Sequence, residues 1–263
     1  MRGREHCLRP LLAALLVLAL IGRCEAQCSL QGASTPIEVV TVVDGDTLAL
    51  KGGARLRVIG VNSPELRHGD GADEPLAAAA RGAAQRFVAR GRAAGLLMQS
   101  GVERSDRYGR LLGHVFLADG SGSLAAALIA EGLAWRVAIP PNLAYQECLS
   151  QAELSARVQR LGVWSDAYRH QQERAALRAG FQVIKARVVG VRFGESWWVD
   201  TDAGFAGRVM RSDQSGFARD QVAQWVGDEV EMRGWMYRRA DGAAGRAAWV
   251  LLLRHPSALR SGG

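Results

Sequence analysis

Residues 40–65 read VTVVDGDTLALKGGARLRVIGVNSPE. A largely apolar run, Val40 to Val43, leads into Asp44-Gly45-Asp46 and then an alternating run, Thr47 to Leu50. Asp-Gly between two β-rich runs is a strong hairpin signal. A third run, Arg55 to Val61, sets Arg55 and Arg57 against Leu56 and Val58 and ends in Asn62-Ser63-Pro64-Glu65. Three strands paired in sequence bring Asp46, Arg57 and the Asn62–Glu65 turn to one end of a sheet. Oxygen donors, a guanidinium and a carboxylate gathered there suit a hard cation and a phosphate diester.

Working outward, residues 104–120 read RSDRYGRLLGHVFLADG and add Tyr108 and Arg110. Asp-Gly-Asp-Thr, then Arg57, then Pro64-Glu65, then Asp106-Arg107-Tyr108-Gly109-Arg110, a helix and a closing LGVW stand in one order over about residues 36–165. That combination resembles the thermonuclease (staphylococcal nuclease-like) family. The resemblance implies an OB-type five-stranded barrel with three helices, in an α+β chain that is mainly β. It also implies calcium-dependent hydrolysis of DNA and RNA with little sequence preference.

Asp46 and Asn62 are the candidate metal ligands, with the Ser63 carbonyl as a third, because calcium takes several oxygens in flexible geometry. Asp and Asn also favour turns, which is the competing reading. Arg57 and Arg110 are the candidate phosphate clamps, since a guanidinium fork donates paired hydrogen bonds that lysine cannot reproduce. Alternation with apolar neighbours also fits Arg57 on a solvated face. By resemblance Glu65 activates or positions the attacking water, and Arg107 and Tyr108 border the nucleotide; a turn tyrosine also packs on its neighbours. Two departures stand out. Asn62 occupies a position where the family carries Asp, and WRVAIPPN (residues 135–142) lacks the family's nucleotide-contacting tyrosines.

The chain has 263 residues, 48% hydrophobic and 22% charged, which excludes disorder by composition and favours two domains. Its net charge of +7 is unevenly held: +2 in residues 1–26, +1 in 27–165, +1 in 166–180 and +3 in 181–263. The nuclease-like part is nearly neutral, so any positive field there is local.

At the N-terminus, arginines flank the apolar core LLAALLVLALIG, too short for a comfortable membrane span. With Cys24-Glu25-Ala26 as the exit, residues 1–26 read as a signal peptide cut before Gln27; an uncleaved anchor is the alternative. Export to the periplasm or outside the cell leaves Cys28 and Cys148, which pair in an oxidising compartment unless both stay as thiols. The mature histidines are scattered, with no zinc spacing.

In chain order, residues 66–72 read as a Gly-rich loop. A helix is expected from Asp73 to about Arg92, strands over 95–100 and 110–117, and a short helix over 124–132 capped by Ser123. A third helix, 146–161, has Leu149, Ala152, Leu154, Val158 and Leu161 available to pack. Residues 27–165 form the nuclease-like domain, 166–180 a helical linker, and 181–263 an OB-like accessory domain of four or five strands. Trp197, Trp198, Trp235, Tyr237 and Trp249 there are interspersed with arginines, as core packing or as stacking platforms for single strands. A monomer is expected. Two rivals stay open: a nucleic-acid-binding module that has lost catalysis through Asn62, and an envelope scaffold.

Overall fold

The structure is a computed structural model describing residues 28–66, 72–174, 176–240 and 247–261. The signal-peptide segment and most of the Gly-rich loop lie outside the described residues. Among the described residues no helix is long and apolar enough to cross a membrane.

The first sheet contains β1 (Thr35–Pro36), β2 (Val39–Val42), β3 (Thr47–Leu50), β4 (Arg55–Val58), β6 (Leu96–Ser105) and β7 (Leu111–Leu117), ordered β1-β6-β7-β4-β3-β2. A short pair, β5 (Val61–Asn62) with β8 (Trp135–Arg136), lies beside it. β1 and β2 are halves of one bent run. The first half pairs with β6 and the second with β3, with Ile37 N–H bonded to Leu96 O at 2.9 Å between them. Both edges of the sheet thus belong to one segment, and the sheet curls into a barrel. β4 and β7 run parallel, Arg57 opposite Leu112, which is the strand order of an OB barrel. Leu48, Leu56, Phe87, Phe116, Leu128 and Leu149 fill its core.

Three helices pack on this barrel: α1 (Ala77–Ala94), α2 (Leu124–Ala130) and α3 (Gln146–Val158). α1 starts later than Asp73-Glu74-Pro75 suggests. Glu74 is engaged elsewhere: its N–H donates to Glu65 O and its carboxylate accepts from Glu65 N–H, both at 3.0 Å. Ser123 caps α2, its Oγ accepting from Ala126 N–H at 3.2 Å. In α3 the expected packing face is partly wrong. Leu154 and Val158 are 46% and 75% exposed, and the buried stripe is Leu149, Ala152, Glu153 and Ala156. The stripe carries a carboxylate because it faces a second barrel.

Cys28 and Cys148 form a disulfide, Cα to Cα 5.7 Å, closing 120 residues of chain. It ties the first described residue to α3. Replacing Cys148 with serine is expected to cost about 2–4 kcal/mol, read as a lower melting temperature. The parent chain should also migrate faster on gels without reductant than with it, and equal mobility would count against the bridge.

The second sheet contains β9 (Gly180–Arg192), β10 (Trp197–Thr201), β11 (Phe205–Val209), β12 (Glu229–Arg238), β13 (Trp249–Leu252) and β14 (Leu259–Ser261). Its order is β13-β11-β10-β9-β12-β14, and β12 also pairs with β13, which closes a five-stranded ring. β11 and β13 are parallel, and a short helix (Arg219–Gln224) falls between the third and fourth ring strands. Strand order, the parallel pair and the helix position repeat those of the first barrel. No sequence repeat announces this, because backbone pairing needs only apolar alternation on each strand.

Between the barrels runs α4 (Asp166–Arg174). It is packed: Tyr168 is buried with Trp135, Val163 and Trp164 in a small core of its own. Beside that core Arg136, Glu153 and Arg157 of the first barrel meet Glu231 and Arg233 of the second.

Candidate active site

The turn between β2 and β3 is held by Val43 N–H to Thr47 O at 2.9 Å. Gly45 avoids the left-handed region, so its role is spatial: an added Cβ would sit 2.7 Å from Ser63 Cβ and 3.0 Å from Ala80 Cβ. The turn is thereby pressed against both the Asn62–Glu65 segment and α1. Asp44 Oδ1 accepts from Asp46 N–H at 3.0 Å, and Thr47 Oγ1 donates to Asp46 Oδ1 at 3.2 Å. Asp46 Oδ2 accepts from Ser63 N–H at 2.7 Å and faces Arg57 Nη2 at 3.2 Å. Asp46, only 1% exposed, is the hub.

Arg57 is drawn inward. Nη1 donates to the carbonyls of Val58 and Val61 at 2.7 and 2.8 Å, and Nη2 to Asn62 Oδ1 at 3.0 Å. The solvated-face reading of Arg57 is therefore set aside. Its fork, however, is occupied by protein acceptors, so gripping a phosphate requires the guanidinium to exchange some of these bonds. Asn62 Nδ2 points to Ser63 O at 3.4 Å, which joins all three candidate ligands in one network.

Glu65 follows at the exposed end of this segment. Partial burial, then the charges of Asp46 and Asp44, push its carboxyl up to about 7, against the pull of Arg57. Asp44, buried beside Asp46, is pushed up to about 6, first by burial and then by the Asp46 charge. Three carboxylates thus share one guanidinium. Ser63 Oγ is buried without a hydrogen-bond partner. Uncompensated carboxylates and an orphan oxygen fit an oxygen-seeking divalent ion. Among the described residues no three carboxylate, imidazole or thiolate groups could hold an ion by themselves, so carbonyl oxygen and water would have to complete the shell of any ion held there.

Arg110 stands apart from this cluster. Its Nε donates to Asp106 Oδ2 at 2.7 Å, and no hydrogen bond or ion pair among the described residues joins it to Asp46 or Glu65. Since Arg57 pairs with Leu112, Arg110 stands two residues before it, just ahead of β7. Asp106 also accepts from the Tyr108 and Arg110 N–H groups, so it fixes the turn and parks the guanidinium. Tyr108, 69% exposed, accepts a hydrogen bond from Arg107 at 2.6 Å and lies beside the Arg110 guanidinium. Trp135 is buried between the barrels, so it does not replace the missing tyrosines.

The family model described as staphylococcal nuclease homologue matches residues 55–166. A thermonuclease of Staphylococcus hyicus is 32% identical over 132 residues, 49% of this chain and 75% of that protein. A thermonuclease of Staphylococcus intermedius is 33% identical over 129 residues, 48% of this chain and 74% of its own length. The chain belongs to the staphylococcal nuclease family.

Two site residues escaped the sequence. Glu74 and Glu65 clamp each other's backbone across the Gly-rich loop, and Arg178, following α4, donates to Glu74 Oε1 at 3.3 Å. Nothing in the sequence marks a carboxylate nine positions on, or a linker arginine, as the support of Glu65.

Proposed function

We propose that the chain is an exported nuclease that hydrolyses phosphodiester bonds of DNA and RNA using an oxygen-bound divalent cation, calcium first among them. The observation that carries this reading is the buried junction of Asp46 with Arg57, the Ser63 N–H and, through Arg57, Asn62, with Glu65 two residues beyond Ser63. Thermonuclease relatives over three-quarters of their length support it.

Asp46, Asn62 and the Ser63 carbonyl would hold the ion, which supplies positive charge to a phosphate oxygen. Glu65, deprotonated above about pH 7, accepts the proton of the attacking water. Arg57 Nη groups donate to the phosphoryl oxygens as charge builds on them, and Arg110 turns from Asp106 to do the same. Attack at phosphorus with loss of the 5′ oxygen leaves 3′-phosphates. Export, a monomeric state and periplasmic or extracellular placement belong to the same proposal.

The test uses the chain from Gln27 with plasmid, single-stranded DNA and RNA, in calcium, magnesium or EDTA. Cutting that requires the metal supports the enzyme. Binding without cutting supports a non-catalytic module, a reading favoured by Asn62 and the occupied Arg57 fork. Neither result leaves only a scaffold.

Asn62→Asp should tighten calcium binding about tenfold, because it adds a carboxylate where an amide now accepts from Arg57. A calorimetric calcium titration checks this, and an unchanged affinity would remove Asn62 from the ligand set.

A further inference from the structure

Where the two barrels meet, three arginines line one small cavity. Arg136 comes from the first barrel and Arg233, Arg254 and Ser257 from the second, with Phe181 and Leu252 among the apolar walls. Its volume is about 20 Å³, room for one water-sized occupant and too little for a phosphate. Alternation explains why a charge faces it. On β12 Met232 is fully buried in the core of the second barrel, so Arg233 beside it turns to the outer face, against the first barrel.

The guanidiniums are held in place. Arg136 Nη1 donates to Gln146 Oε1 at 2.8 Å and, across the junction, to Ser257 Oγ at 3.2 Å. Arg233 Nη1 donates to Arg136 O at 3.1 Å and to Glu153 Oε1 at 2.6 Å. Arg254 Nε donates to Asp213 Oδ1 at 3.1 Å.

Their charges do not balance. Arg136, Arg157, Arg233 and Arg254 bring four positive charges to the junction, and their partners Glu153, Glu231 and Asp213 bring three negative ones. His255, 2.9 Å from Ser257 Oγ through Nδ1, adds none near neutrality, because burial and then the Arg136 charge hold its pKa below the ordinary value. Arg136 is the group left short. Among the described residues Glu153 is its one ion-pair partner, at 3.9 Å, and its Nε is buried without a hydrogen-bond partner. Burial, with Arg233 and Arg157 nearby, lowers its pKa despite Glu153. A buried surplus charge of this kind costs stability unless a counter-ion meets it.

We propose that this cavity binds a single halide-sized monovalent anion, chloride in a saline medium, which ties Arg136 of the first barrel to Arg233 and Arg254 of the second. The site shares no residue with the Asp46 cluster and does not depend on the chain being a nuclease. A lone bridging water is the competing occupant.

The experiment uses the full mature chain from Gln27, dialysed free of halide. Its melting temperature is followed as sodium chloride or bromide replaces sodium gluconate at a constant ionic strength of about 0.15 M. Either halide should raise the melting temperature by about 3 °C, levelling off once the site fills. Arg136→Met, which removes the surplus charge, should abolish the rise. In crystals of the parent chain soaked in bromide, anomalous density should lie in the cavity beside Arg136 and Arg233. A rise that never levels off, or that survives in Arg136→Met, overturns the proposal, because screening at the surface does both. A bromide-soaked parent crystal without density in the cavity overturns it as well and leaves water as the occupant, even if Arg136→Met fails to fold. Density with no dependence of the melting temperature on halide marks binding at crystal concentration only, and overturns it too.

Discussion

Glu65→Gln is expected to lower kcat on single-stranded DNA by about 10²–10⁴-fold while leaving the dissociation constant for the polymer within about twofold. Glutamine keeps the side chain's size but cannot take a proton. The parent's rate should climb as pH rises toward 7, as the Glu65 carboxylate forms, and the variant's residual rate should lose that limb. An ion bound beside Asp46 would draw the limb lower, so its position should differ between calcium and magnesium. A tenfold weaker substrate affinity with kcat intact would instead make Glu65 a binding residue. Arg57→Lys separates the other half of the site. A lysine cannot span the carbonyls of Val58 and Val61 together with Asn62, so both kcat and the melting temperature should fall.

The Asp-Gly-Asp turn, the three consecutive strands and the meeting of Asp46 with the Asn62–Glu65 turn were legible because each rests on local pattern. Tight turns and apolar alternation place those residues without help from distant chain. What stayed illegible depends on what lies opposite. Arg57 reads as a surface residue or a clamp, yet the Val61 carbonyl and Asn62 Oδ1 that occupy its fork beside the Val58 carbonyl belong to a two-residue strand, β5, too short to stand out. Leu154 and Val158 look like a helix core and are exposed because Glu153 takes the inward position. A glutamate prefers that place only where arginines await it, one of them, Arg233, from the other barrel, and no sequence window contains both partners. The same holds for the support of Glu65 by Glu74 and Arg178, which sit 9 and 113 positions away.

Those arginines frame the second large effect. Glu153 Oε1 accepts from Arg233 Nη1 at 2.6 Å and from Arg136 N–H at 3.3 Å, while Arg157 and Arg136 flank its other oxygen. Glu231 accepts from Arg157 and from Arg233, and burial, which alone would raise its pKa, is overcome by these partners so that it falls to about 2. The cluster holds three guanidiniums and two carboxylates, and the balance decides what each substitution does. Glu153→Ala leaves three positive charges to one negative, and should cost about 3–5 kcal/mol, seen as a large drop in melting temperature. Arg233→Met removes an equally buried group but leaves two charges of each sign, so its cost should be clearly smaller. The reverse order would mean that packing against Trp164, over which the Arg157 guanidinium stacks at 3.6 Å, outweighs charge balance. Acid offers an independent check. Because the folded pKa of Glu231 lies below its ordinary value of 4.5, its contribution is complete above that pH and is lost as pH falls toward about 2. Glu231→Gln should therefore flatten the loss of stability across that window, and a variant whose melting temperature tracks the parent through it would show that the barrels are held together by something else.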